Sequence, residues 1–87
     1  MLIPLHLVRN RQRYQQALAA LQRANCRIKY LSGHILDGAV AAVLQEDALA
    51  GRLGPNYRGF REVRTYGAPL LHSDQIPNLH AYFNVRG

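Results

Sequence analysis

Cys26 is the only cysteine in the chain, so no intramolecular disulfide can staple the fold. That restricts 87 residues to what one small apolar core can hold, because a chain of this size buries a modest fraction of its surface. The remaining supports for so small a domain are a metal or self-association. The four histidines, His6, His34, His72 and His80, are scattered, without the close pairing of a zinc site, so a metal is not expected. Self-association is, and a homo-oligomer follows as an expectation. A lone thiol also fits a reducing compartment, which points to the cytoplasm. No apolar run approaches the roughly 18 residues that cross a bilayer, so no membrane role is expected.

The acidic residues Asp37, Glu46, Asp47, Glu62 and Asp74 show no obvious paired acid and base, and no phosphate-cradling glycine loop with a following lysine occurs. No nucleophile constellation stands out either. The composition therefore speaks against an enzyme, and no cofactor is implied. The charge speaks for a polyanionic partner. The net charge is +6, and all of the basic residues except Lys29 are arginines. Arginine's planar fork suits phosphates and base edges, and it stacks on aromatic rings.

Along the chain, residues 10–24 read as a helix. Tyr14, Leu18 and Leu21 form one apolar stripe, with Asn10 as a possible N-cap and Asn25 as a left-handed close. Arg9, Arg11 and Arg13 crowd its start, where the helix dipole disfavours cations, and this local conflict marks them as binding candidates. Met1 to Val8 read as a strand or arm docking on the fold. Cys26 to Leu31 alternate as a half-buried strand, and Ser32-Gly33 as a turn. Residues 35–53 are undecided. Their alanine and leucine content favours helix, whereas Gly38 and two small apolar faces fit a strand buried on both sides. Phe60 to Tyr66 form a candidate strand, and Leu79 to Phe83 a short apolar run beyond the turn at Ser73-Asp74-Gln75.

The run Leu31, Gly33, Gly38, Val40 and Val43 resembles the first signature motif of the Sm-like family. Leu71-His72-Ser73-Asp74-Gln75-Ile76 is similar to its second. The resemblance covers residues 10–83, and helix-then-strands is also the family's order. It implies a mainly β single domain over residues 1–87: a helix at 10–24, then a small five-stranded bent-sheet barrel over 26–83. It further implies an oligomer joined by edge strands, binding single-stranded RNA. Where the family carries its loop aspartate, methionine and asparagine, this chain has Glu46, Leu49 and Ala50. His72 and Ser73 stand in place of the second motif's arginine and glycine. Arginines interleaved with aromatics at Tyr57, Arg58, Phe60, Arg61 and Arg64 supply the charge and flat rings that single strands need. With Arg9, Arg11, Arg13 and His72, they make up the expected nucleic-acid surface. Two alternatives stay open. One is an α+β winged-helix or excisionase-like regulator binding duplex DNA, with 35–53 helical. The other is a structural or protein-interaction subunit that ignores nucleic acid.

Overall fold

The computed structural model describes residues 2–83. It is a small α+β domain in which helices lie on one face of an open, parallel, three-stranded sheet. After a 3₁₀ turn at Leu5–Asn10 come α1 (Gln12–Ala24), β1 (Tyr30–His34), α2 (Leu36–Leu49), β2 (Glu62–Tyr66), a short 3₁₀ turn at Ser73–Gln75 and β3 (Leu79–Tyr82). Strand order is β1-β2-β3. The register sets Leu31 beside Val63, and Val63 beside Leu79.

The five-stranded barrel and the mainly β class are therefore corrected. Residues 36–49 are helical, and each described strand runs parallel to its neighbour, whereas a bent-sheet barrel or a wing needs antiparallel hairpins. Parallel pairing requires a crossover long enough to return the chain to the same end of the sheet, and α2 is that crossover between β1 and β2.

Ten of the fourteen residues of α2 are buried, Gly38 to Gln45 with Asp47 and Ala48. A helix apolar all round belongs at the centre of a core, and α2 packs against β1, β2, α1 and the first 3₁₀ turn. The inner sheet face supplies Leu31, Gly33, Val63, Thr65, Leu79 and Ala81, alternating with Tyr30, Ser32, His34, Glu62, Arg64, Tyr66, His80 and Tyr82 on the other face. That outer face carries no helix among the described residues.

Several local expectations hold. Helix α1 buries Tyr14 and Leu21, and Asn25 closes it in the left-handed conformation at φ 50°. Its N-cap is Arg11, not Asn10, which lies in the preceding 3₁₀ turn. The first apolar segment does dock, with Leu5 and Val8 buried and Ile3 bridging Leu70. The first strand begins four residues later than the alternation implies. Cys26 sits at φ 66°, outside any strand, and Ser32-Gly33 is strand, not turn.

Candidate functional site

At the carboxyl end of β1 the chain turns into α2 through a single residue. Ile35 has φ 51° and ψ −114°, follows the last residue of the strand and precedes the first residue of the helix. Its N–H donates to Tyr66 O at 2.9 Å, and its carbonyl accepts from Ala39 N at 3.2 Å. The residue thus completes the ladder on one side and begins the helix on the other. A β-branched residue at positive φ is a genuine outlier, costing on the order of 1–3 kcal/mol. The strain is not offset by burial, because Ile35 is 63% exposed.

Two glycines make so tight a turn possible. A Cβ on Gly33 would stand 2.4 Å from the Asp37 carbonyl carbon and oxygen and 2.6 Å from Gly38 N. One on Gly38 would meet Gly33 O and the Ala68 Cβ at 2.9 Å. Helix and strand therefore touch backbone to backbone, and the apex side chain is pushed outward. Asp37, in the first turn of α2, complements the positive end of the helix dipole. Beside the apex, His34, Tyr66 and Tyr82 occupy one row across the three strands. Their rings stack at 4.9 Å and 5.2 Å between centroids. Leu36, Tyr82 and Phe83 are exposed at this same end of the sheet.

The nucleic-acid candidates are placed differently from the expectation. Tyr57 and Phe60 lie in the core, stacked at 5.5 Å, so neither ring offers a face to a base. The Tyr57 hydroxyl donates to Leu21 O at 2.8 Å. The backbone around Phe60 is held by buried Gln45, which accepts from Phe60 N at 2.7 Å and donates to Phe60 O at 3.2 Å and Pro77 O at 2.9 Å. Arg9 is engaged with Glu46 and Asp47, Arg13 with Asp37 at 3.2 Å, and Arg64 with Glu62 at 3.1 Å. Arg11, Arg58 and Arg61 are exposed without an ion pair among the described residues, and His72 is an exposed left-handed residue before the second 3₁₀ turn.

Asp47 was not among the sequence candidates, yet it is the most heavily bonded side chain. It accepts from Arg9 Nε, from Arg52 Nη1 at 2.8 Å and from the Tyr14 hydroxyl, while itself only 1% exposed. Burial pushes its carboxyl up, but these donors outweigh burial and hold it below the ordinary carboxylate range. Burial first, and then the bond to Asp47, push the Tyr14 phenol up to about 12. An acidic pair, Glu46-Asp47, set with Gln45 between apolar Leu44 and Ala48, was the available signal.

Among the described residues no group of three or more His, Cys, Asp or Glu could hold a metal. No helix there is long and apolar enough to cross a membrane. Comparison with protein-family models, with curated proteins and with solved structures finds no match.

Proposed function

We propose that the β1–α2 turn is a nucleophile elbow without a nucleophile, and that the chain is a hydrolase-type module that binds at this end of its sheet but does not catalyse acyl transfer. The conformation of Ile35 carries the proposal. In the α/β-hydrolase arrangement a serine sits on a sharp, strained strand-to-helix turn, with small residues beside it, so that its hydroxyl stands free. Here the turn, the strain and the leading Gly33 are present, Asp37 stands where the trailing glycine falls, and Gly38 follows it. The apex side chain is a hydrocarbon. It has no lone pair to attack a carbonyl and no proton to give up.

Among the described residues no histidine–carboxylate pair stands at the turn, and His34, beside the apex, is stacked on Tyr66. His80 Nε2 is 3.8 Å from Glu62 Oε1, but Glu62 begins β2, at the opposite end of the strands from Ile35. Four residues of strand separate the two ends, about 13 Å. The carboxyl ends of parallel strands are where such sheets bind ligands. Ile35, Leu36, Tyr82 and Phe83 give that end an apolar character suited to an acyl chain.

The test replaces the apex. In a Cys26→Ala background, Ile35→Cys places a thiol at the amino end of α2, where the dipole favours the thiolate. Iodoacetamide should alkylate it at least roughly tenfold faster at neutral pH than it alkylates Cys26 in the unaltered chain. Equal rates would remove the elbow reading. Ile35→Gly relieves the strain and should raise the thermal midpoint by about 4–8 °C, corresponding to about 1 kcal/mol in a domain of this size. The unaltered chain should leave p-nitrophenyl butyrate at its buffer rate, and saturable turnover would refute a silent site.

A second reading is favoured by Arg11, Arg58 and Arg61, exposed without partners among the described residues, on a chain of net charge +6. They supply phosphate contacts while the rings of their own segment, Tyr57 and Phe60, are buried, so RNA binding through them would be weak and indifferent to sequence. Three such contacts predict a roughly 20-fold fall in affinity for a labelled single-stranded RNA between about 50 and 200 mM salt. A flat salt dependence would exclude it. Cys26, a free and exposed thiol, supports placing the protein in the cytoplasm.

A further inference from the structure

Strand β1 pairs with β2 alone among the described residues, leaving its other edge open. The carbonyl of Lys29 accepts from Arg61 N, and the N–H of Ile35 donates to Tyr66 O, so positions 29, 31, 33 and 35 turn toward β2. The alternation then points the N–H and C=O groups of Tyr30, Ser32 and His34 outward. Nothing in this segment guards the edge. Tyr30 to His34 include no proline, lysine or acidic residue, which are the usual devices against strand pairing. The opposite edge of the sheet is better defended, since the Leu79 N–H is already taken by Ile76 O in the turn before β3.

We propose that the outer edge of β1 pairs with the same edge of a second copy, across a two-fold axis through Ser32. Antiparallel strands centred there set Ser32 opposite Ser32, and Tyr30 of each copy opposite His34 of the other. All three pairs fall at hydrogen-bonded positions and satisfy every outward group of both strands. On the open face, Tyr30 meets the imidazole that begins the His34–Tyr66–Tyr82 stack, an aromatic cross-strand contact of the kind that stabilises sheets. On the helical face, Leu31 of each copy falls opposite Gly33 of the other, whose Cβ position is filled by the backbone of Asp37 and Gly38, so the room for that leucine lies in the groove beside it. A groove of about 380 Å³ runs along the same edge, lined by Ala17, Leu31, Val40, Ala41 and Leu44 among others, and it receives that leucine.

The self-matching register makes a second copy the occupant. Residues 30–34 of the edge carry no Lys, Arg, Asp or Glu, the Arg13 and Asp37 that line the groove are paired with each other at 3.2 Å, and the repulsion between two basic chains is screened beyond about 8–10 Å at physiological salt. Association should therefore strengthen with salt, opposite to the behaviour of any RNA complex.

Light scattering and sedimentation equilibrium on the full chain test this. The chain at about 100 μM should show twice the mass of one copy. Ser32→Pro removes an outward N–H without touching the bonds to β2. It should raise the dissociation constant roughly 10-fold or more, through two lost hydrogen bonds, with unchanged circular dichroism. Ser32→Lys sets two cations against each other at the axis and should have the same effect, serving as the second variant should Ser32→Pro not fold. A monomeric unaltered chain overturns the proposal. So does a dimer indifferent to either substitution, which would place the contact elsewhere.

Discussion

Gly33→Ala should remove more than about 4 kcal/mol of the stability of the chain. Its added methyl would sit 2.4 Å from the Asp37 carbonyl group and 2.6 Å from Gly38 N, all backbone atoms of the first turn of α2. Ordinary contact needs about 1 Å more at each, and no side-chain rotation can supply it. The first turn of α2 would have to lift from the sheet, and this helix carries ten buried residues. Overpacking of a core costs about 1–3 kcal/mol even where side chains can yield. Here the obstacle is backbone, so a cost above about 4 kcal/mol is expected, against a total of roughly 4–13 kcal/mol for a domain of this length. Gly51→Ala is the control. It lies at φ +81° in open space, so it should cost only about 1 kcal/mol through backbone strain. Urea titrations followed by circular dichroism separate the two. A Gly33→Ala variant within about 1 kcal/mol of the unaltered chain would mean that helix and strand are not in backbone contact at the turn.

The same glycine shows what local pattern reveals and what it hides. Helix α1 was legible because its stripe faces one way: Tyr14 and Leu21 are buried and Leu18 packs on the core, while Gln15, Gln16 and Ala20 are exposed. Helix α2 has no such stripe. Its faces are apolar all round, so periodicity leaves helix and two-sided strand equivalent, and Gly38, which weakens either, is there for close packing on Ala68 and Thr65. Gly33 suggested a turn by residue type, yet it is a strand residue kept bare for contact. Pairing between β1 and β2 joins residues about thirty apart, as Tyr30 with Glu62, and nothing local encodes its direction. The arginine–aromatic run misled for a similar reason. Tyr57 and Phe60 turn inward to close the core beside Gln45, while Arg58 and Arg61 turn out, so the segment is a core-capping loop with a basic exterior. For the candidate site, the glycine spacing was visible, but no residue preference would place isoleucine at a left-handed apex. Only the backbone geometry discloses that position.

Asp47→Asn should cost about 3 kcal/mol and lower the thermal midpoint by roughly 12–24 °C, because it strips a buried carboxylate from Arg9, Arg52 and Tyr14 together. The bonds at stake tie the 3₁₀ turn at Leu5–Asn10 and helix α1 to the far end of α2, opposite the elbow. They fix the axis of the helix whose first turn shapes the apex. The pH dependence follows from the shifts. The folded carboxyl titrates below its ordinary value, so its contribution is complete above about pH 4 and is lost as pH falls through the lower folded value. The stability gap between the two proteins should therefore be wide at neutral pH and narrow in strong acid. At the alkaline end the sign reverses. The Tyr14 phenol, raised to about 12 from 10.0, favours the folded state while protonated. That contribution is complete below about pH 10 and fades as pH rises toward 12. Tyr14→Phe removes a single donor and leaves both arginines in place, so it should cost only about 1 kcal/mol. Should Tyr14→Phe prove the more damaging substitution, the phenol packing and not the carboxylate would hold α2 in position. A gap that persists unchanged into strong acid would likewise show that Asp47 acts by shape rather than by charge.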